Sequence, residues 1–175
     1  SFQVYNNSEE QTVSNSAVDE TYGQVLMYGS DIISAYFYST SCGATTTSTV
    51  WGSEYPYTHS VVLNVENQDI NLVNETVFDS FIRTNFKTYD SEYPWYRWKV
   101  TFDLSELTKN INEQIGTIKA ENVQILNDKG NWINKTIANV GQVKKIETGE
   151  RGPGGVLSYI TIFGTDATVR VYKEY

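Results

Sequence analysis

The sequence predicts an α+β fold with a β-rich core and a helix-containing insertion in the middle of the chain. Strand-like runs lie near both ends, two amphipathic helical patterns lie between them, and glycine-containing turn signals separate the later strands. We expect residues 1–70 and 128–175 to form the β-rich core and residues 71–127 to form the α+β insertion.

The first zone, which extends to about Leu63, is rich in β-branched and aromatic residues after a polar stretch at 6–15. Gly29-Ser30 separates the run that starts at Gln24 from the run Asp31–Ser39. This spacing predicts a β-hairpin, because glycine supplies the backbone angles of a tight turn. Residues 39–48 are mostly Ser, Thr and Gly, with too few large side chains to pack a helix, so we expect a loop there.

The insertion carries two helical patterns. Asn74 can cap a helix that ends near Arg83, and Asp103 or Ser105 can cap a second helix that ends at Gly116. The apolar residues of each pattern fall on one helical face, namely Val77, Phe78, Phe81 and Ile82 in the first and Leu107, Ile111 and Ile115 in the second.

Four further strands are predicted, one at the end of the insertion and three after it, with turn signals at 128–130 and 152–155. They cover Asn122–Leu126, Gln142–Thr148, Leu157–Phe163 and Thr168–Tyr172. Together with the first zone they give a chain that is β at both ends and helical between.

Composition and charge exclude several classes of protein. The net charge of −8 and the absence of a basic run argue against nucleic-acid binding. No apolar stretch approaches the roughly 20 residues that a membrane-spanning helix needs. The single cysteine allows no internal disulfide. Because the chain opens on Ser1 and not on methionine, we expect it to derive from a longer precursor.

The segment 36–45 is the first candidate for a binding site. Its short Ser and Thr side chains can donate and accept hydrogen bonds, and Gly43 lets the backbone approach a ligand closely. Such a loop suits sugar hydroxyls or an acetamido group. The same composition also fits a turn whose hydroxyls bind its own backbone, and spacing alone favours that structural interpretation.

Catalytic patterns are weak. Cys42 and His59 are 17 positions apart, which matches neither a thiol–imidazole dyad nor a metal motif, so we expect a buried cysteine and a surface histidine. The carboxylates Glu54, Asp90 and Glu92 lie near aromatic residues, as at a sugar site, but an acidic chain places them there by chance, and none is assigned a catalytic role.

The aromatic segment Trp95–Phe102 alternates and predicts a strand bounded by Pro94. Trp95 and Arg97 would then lie on one face and Tyr96 and Trp98 on the other. One face would join the core, and only the other could stack on a sugar.

These motifs, taken in order, resemble the stage II sporulation protein D family. The entry segment 15–26 contains Ala17-Val18 and Thr21-Tyr22-Gly23-Gln24-Val25-Leu26, and the signature-like segment runs from Ala35 to Thr45. Further matches are Val50-Trp51-Gly52, Pro56-Tyr57-Thr58-His59-Ser60-Val61, Pro94-Trp95-Tyr96-Arg97-Trp98 and Glu150-Arg151-Gly152-Pro153-Gly154-Gly155. The chain departs from the family where Tyr38 replaces a frequent histidine and Ala44 a frequent second glycine.

The resemblance implies an exported bacterial protein at the cell surface, anchored to the membrane, if at all, through a segment outside this chain. The family includes lytic transglycosylases, which cleave the bond between N-acetylmuramic acid and N-acetylglucosamine and leave a 1,6-anhydro end. Its catalytic glutamate belongs to an upstream helical segment, so this chain would supply glycan-site residues without the general acid. The implied glycan-site residues are Tyr36, Ser39, Ser41, Gly43, Thr45 and Trp51, and the resemblance implies no cofactor and no metal ligand.

Two alternatives remain open at this stage. Some relatives are described as enhancers of a wall amidase, which predicts a non-catalytic module that binds the cell wall or an amidase. A purely structural alternative is a surface protein whose Tyr and Trp residues only pack β-sheets.

Overall fold

A computed structural model describes residues 9–64, 66 and 68–173, except for the side chain of Trp51. It confirms the predicted α+β fold class, with three helices and two antiparallel sheets among these residues. The chain divides into two compact units, Ser1–Phe37 and Tyr38–Tyr175. None of the helices in the described residues is both long and apolar enough to cross a membrane.

The first unit contains one helix and one short hairpin. Helix α1 covers Thr12–Glu20, and strands β1 (Met27–Tyr28) and β2 (Asp31–Ile32) pair antiparallel. The hairpin across Gly29-Ser30 is confirmed, although its strands are only two residues long. The sequence did not predict α1, because this helix buries none of its residues and so carries no apolar stripe that marks a helix.

The second unit is built on a five-stranded antiparallel sheet of order β4-β3-β7-β6-β5. The strands are β3 (Val123–Leu126), β4 (Trp132–Asn134), β5 (Val143–Thr148), β6 (Tyr159–Gly164) and β7 (Thr168–Tyr172). Four of them match the predicted strands. The fifth, β4, follows the predicted turn at 128–130, where the Asn127 side chain accepts hydrogen bonds from the amides of Lys129 and Asn131.

The main core lies on one face of this sheet. Helix α3 (Leu104–Ile115) contributes Ile115 and contacts β5. Asn112 fixes the helix in place, because its amide donates to the carbonyl of Gly141 (2.9 Å) and accepts from the amide of Val140 (2.8 Å). The buried cluster consists of Ile115, Ile118, Val123, Val140, Val143, Ile162, Val169 and Val171.

Helix α2 (Glu75–Arg83) forms as predicted. The Asn74 side chain accepts a hydrogen bond from the amide of Val77 at 3.1 Å, which satisfies one of the free donors of the first turn. Phe81 is the buried residue of this helix and packs against Phe86.

The predicted strand Trp95–Phe102 is wrong. Residues 90–97 form successive turns in which the amide of Tyr93 donates to the carbonyl of Asp90, and the amide of Tyr96 to that of Tyr93. Tyr96 is buried and Arg97 half-buried, whereas Trp95 and Trp98 are 75% and 74% exposed. The alternation fails as a strand signal here because no neighbouring strand pairs with the segment in the described residues.

Truncation of the buried Ile115 side chain should destabilise the second unit. Ile115→Ala should lower the free energy of unfolding by roughly 2–5 kcal/mol, because Ile115 is 2% exposed and its truncation leaves a cavity. Ile133→Ala is the matched control and should change it by about 0.5 kcal/mol or less, since Ile133 is 41% exposed. Urea denaturation followed by circular dichroism measures both, and equal losses would contradict this core assignment.

Candidate functional site

The residues implied as a glycan site are divided between the two units. Tyr36 lies in the first unit and is exposed. Ser39, Ser41, Gly43 and Thr45 lie in the second unit on one segment, which we call the Ser/Thr loop (residues 39–48). The backbone of Trp51 ends a short 3-10 helix, Ser48–Trp51, and its side chain lies outside the described part of the chain.

Asp90 anchors the Ser/Thr loop. One carboxylate oxygen accepts from the Ser41 amide (2.6 Å) and the Ser41 hydroxyl (2.7 Å), and the other accepts from the Thr88 hydroxyl (2.9 Å). The Ser41 Oγ in turn accepts from the amide of Gly43 at 2.8 Å. The hydroxyl of Ser41 is therefore engaged within the fold.

These hydrogen bonds keep Asp90 ionised. Burial raises the pKa of its carboxyl, but the hydrogen bonds from Ser41 and Thr88 outweigh burial, so the pKa lies below the ordinary value. A general acid must carry a proton near the working pH. Asp90 is consequently unsuited to protonate a leaving group.

Arg97 holds the same segment from the other side. Its guanidinium donates to the carbonyls of Cys42 (2.7 Å) and Phe81 (3.1 Å) and lies over the ring of Tyr96. Tyr96 donates its own hydroxyl to the carbonyl of Phe86 at 2.5 Å. Gly43, with φ of 97°, fits against this cluster because a Cβ there would lie 2.8 Å from the Tyr96 hydroxyl.

Thr45 joins the loop to a neighbouring extended segment. Its amide donates to the carbonyl of Val61, its hydroxyl donates to the carbonyl of His59, and that hydroxyl accepts from the amide of Val61, each at 2.9 Å. The thiol of Cys42 makes only a long contact, 4.0 Å, to the carbonyl of Ala44. No group of three His, Cys, Asp or Glu side chains that could hold a metal ion occurs in the described residues.

A cleft of about 740 Å³ lies beside this loop, between residues 46–50 and the loop 151–158. Its volume falls within the roughly 300–1,000 Å³ that small-molecule sites occupy. The walls combine hydroxyl, aliphatic and cationic groups, contributed chiefly by Thr46, Thr49, Ser158, Val50, Val156, Leu157, Arg151 and Lys173. Among the described residues, none that lines the cleft carries a carboxylate.

The loop 151–158 is fixed by close contacts. Gly154, with φ of 74°, lies so near the carbonyl of Thr45 that a side chain would overlap it, and the Thr46 hydroxyl donates to the carbonyl of Pro153 at 2.7 Å. Arg151 lies over the ring of Phe78. The cleft therefore has a wall that is built before any ligand arrives.

Each of the three nitrogen atoms of the Arg151 guanidinium donates a hydrogen bond. The guanidinium binds both oxygens of Glu75 (2.5 and 3.0 Å) and the carbonyl of Gly155 (2.7 Å). The hydrogen bond from Arg151 lowers the pKa of the Glu75 carboxyl. This pair links the first turn of α2 to the cleft wall.

Comparison with known proteins gives one match. Residues 45–175 match the family described as a domain of unknown function, DUF8618. The chain belongs to this family. No curated protein and no solved structure matches the chain.

The DUF8618 region contains the residues that line the cleft. Proton transfer to a glycosidic oxygen needs a carboxyl with a raised pKa. The cleft offers hydroxyls, backbone groups and a cation, which can bind and orient a polar ligand. In the described residues, none of the groups around it supplies that proton.

Sequence inspection missed the residues that organise this site. Arg97 falls in a segment interpreted as a strand, Asp90 stands out in the sequence only as a carboxylate near aromatic residues, and Glu75 is an ordinary first-turn acid of a helix. Only the motif around Glu150-Arg151-Gly152 marked the cleft wall. Of the implied glycan-site residues, Ser41, Gly43 and Thr45 lie together, Ser39 is exposed on the same segment, and their contact with glycan stays a prediction.

The Asp90 anchor should make stability pH-dependent. Because its pKa in the folded chain is depressed, its contribution is fully present above the unfolded value of about 3.9 and is lost as pH falls through the folded value. Asp90→Asn should lower the free energy of unfolding at pH 7 by roughly 1.5–3 kcal/mol, the range for hydrogen bonds to a charged group. The free energy of unfolding of the Asp90→Asn variant should also fall less steeply than that of the unaltered chain as the pH becomes acidic.

Urea denaturation at pH 7 and at about pH 3 measures this effect, with the exposed neighbour substitution Glu92→Gln as the control. If the free energy of unfolding of Asp90→Asn and of Glu92→Gln had the same acid dependence as that of the unaltered chain, the Asp90 anchor would not hold the loop.

Two substitutions separate the effect of the close packing around Gly43 from the effect of its positive φ. Gly43→Ala and Gly52→Ala both place a side chain at positive φ, at a cost of roughly 1 kcal/mol. Only Gly43→Ala also meets neighbouring atoms, so it should lower the melting temperature more than Gly52→Ala. Thermal denaturation compares the two, and equal shifts would show that the packing around Gly43 is unimportant.

Proposed function

We propose that the second unit binds glycan strands of bacterial peptidoglycan in the cleft, as the glycan-binding part of a stage II sporulation protein D-type lytic transglycosylase. The observation that carries the proposal is a preformed cleft that offers hydroxyls and aliphatic surface and, among the described residues, no carboxylate. The resemblance of the Ser/Thr loop and of residues 150–155 to that family supports the choice of ligand.

Rigidity of the cleft supports binding of a flexible polymer. The Ser/Thr loop is fixed through Asp90, Arg97 and Thr45, and the opposite wall through Gly154 and Arg151. A site that is ordered before the ligand arrives loses less conformational entropy on binding. Sugar hydroxyls would then pair with groups such as Thr49 and Ser158 on the cleft walls.

Cleavage in this proposal needs a group from outside the cleft. A glutamate in an upstream segment would protonate the glycosidic oxygen, and the 6-hydroxyl of the muramic acid would close the anhydro ring. The described chain holds the glycan and orients the bond. Such a protein acts outside the cell, at the cell surface.

A second candidate is a non-catalytic module that binds the cell wall or enhances a wall amidase. The absence of a carboxylate from the cleft lining favours it as much as it favours a truncated enzyme. The two candidates agree on glycan binding and differ only in whether a longer protein cleaves the strand.

A substitution that fills the cleft should weaken glycan binding. Val156→Trp places a bulky ring on the cleft wall and should reduce the affinity for glycan strands stripped of stem peptides by about tenfold, equivalent to roughly 1.4 kcal/mol. Val100→Trp is the matched control, because Val100 is also exposed but lies outside the cleft lining. Isothermal titration calorimetry measures both, and equal affinities, or no binding by the unaltered chain, would contradict the proposal.

Mass spectrometry of digested glycan strands separates the two candidates. The chain alone should release no 1,6-anhydro ends. A version extended with its natural upstream sequence should release them if the protein is a transglycosylase, and should only bind if it is a wall-binding or amidase-enhancing module.

A further inference from the structure

The face of the five-stranded sheet opposite the core carries a polar and aromatic surface. We call it the outer face. Along each strand, residues alternate between the buried cluster and this face, as the register Gln124↔Arg170 and Thr161↔Arg170 shows. The outer face is formed by Trp132, Asn134, Gln124, Arg170, Tyr172, Tyr159, Thr161, Phe163, Lys145 and Glu147.

Arg170 lies at the middle of this face, on β7. Its guanidinium is 4.0 Å from the ring centroid of Trp132 and 4.7 Å from that of Tyr159. Its Nε atom is fully enclosed and has no hydrogen-bond partner, and the guanidinium forms no ion pair with any carboxylate of the described chain. Within the described residues, the sheet thus holds a cation between aromatic rings without a counter-ion.

Neighbouring groups do not compensate this charge. The Gln124 side chain accepts from the Tyr172 hydroxyl (2.8 Å) and donates to the Asn134 side chain (2.9 Å), so its amide is already engaged. Glu147, the carboxylate on this face, pairs with Lys145. The Nε atom of Arg170 is thus unpaired while the Gln124, Tyr172 and Glu147 side chains beside it have partners.

Geometry restricts what could pair with Arg170. Rings flank the guanidinium, so an acceptor approaches along its edge, in the plane of its N–H groups. A planar fork of N–H donors matches a carboxylate, which can accept two parallel hydrogen bonds. Because the Nε atom is enclosed, a carboxylate ligand would accept from the two terminal amino groups of the guanidinium, whose N–H bonds lie in one plane.

We propose that the outer face is a second binding site, centred on Arg170, for a carboxylate-bearing sugar. The carboxylate pairs with the guanidinium edge, and the sugar ring lies against the aromatic side chains of the face. Tyr159 and Tyr172 form a ring pair there with centroids 5.2 Å apart. Such amphipathic rings suit a ligand with one apolar and one polar side. The site is separate from the cleft and does not depend on glycan binding there.

The carboxylate could come from a hexuronate or from the lactyl group of an amino sugar. Titration calorimetry with oligogalacturonate and with N-acetylmuramic acid distinguishes these sources. The methyl ester of each is the control, since it keeps the sugar and removes the charge. We expect saturable binding of at least one acid and binding at least about tenfold weaker for its ester.

Two variants test the role of Arg170. Arg170→Lys keeps the charge but lacks the planar fork, and Arg170→Met removes the charge, so both should weaken binding of the acid about tenfold or more. Lys99→Met, which removes an exposed cation outside the outer face, should leave binding unchanged. Arg170→Met should keep or raise the melting temperature, because it removes an unpaired cation. Val156→Trp should bind the acid normally, which separates this site from the cleft.

Several results would overturn the proposal. They are absence of binding by the unaltered chain to either acid, equal binding of acid and ester, or unchanged binding in Arg170→Lys. A large fall in melting temperature for Arg170→Met together with normal acid binding would show that Arg170 only supports the sheet.

Discussion

The irregular half of the second unit depends on two charged anchors. Between residues 38 and 100 the described chain has one α-helix, one 3-10 helix and a few isolated bridges, so many backbone groups lack a ladder partner. Buried backbone groups need partners from elsewhere. Asp90, an anion, accepts from backbone and side-chain donors of the Ser/Thr loop, and Arg97, a cation, donates to carbonyls of the same loop and of α2. Loss of either anchor would release the loop that borders the cleft.

The elements predicted correctly are those in which burial on one face decides the pattern. Helix α3 and strands β3, β5, β6 and β7 contribute apolar residues to the sheet core, and helix α2 buries Phe81 outside that core. The anchors could not be predicted, because Ser41 and Asp90 are 49 positions apart and Cys42 and Arg97 are 55 apart. The strand predicted over Trp95–Phe102 failed because alternation without a neighbouring strand carries no pairing energy.

Small polar residues explain why the candidate site was only partly predictable. A Ser or Thr hydroxyl suits a sugar and a backbone group equally well, so composition cannot separate the two roles. Here the hydroxyls of Ser41 and Thr45 bind within the fold, and the cleft beside them is lined by Thr46, Thr49 and the 151–158 loop. Residues 46–50, which directly follow the signature-like segment, thus line one side of the cleft, while Arg151, held by Glu75, lines the other.

The most direct test of this account is a nuclear magnetic resonance titration of the chain with a soluble N-acetylglucosamine–N-acetylmuramic acid fragment. In the Arg170→Met variant, which lacks the outer-face site, we expect saturable amide shifts confined to residues 46–50 and 152–158, with the resonances of the Asp90 anchor unchanged because that network is already formed. Absence of shifts in both segments, or shifts spread over the Asp90 and Arg97 contacts, would contradict a preformed glycan cleft.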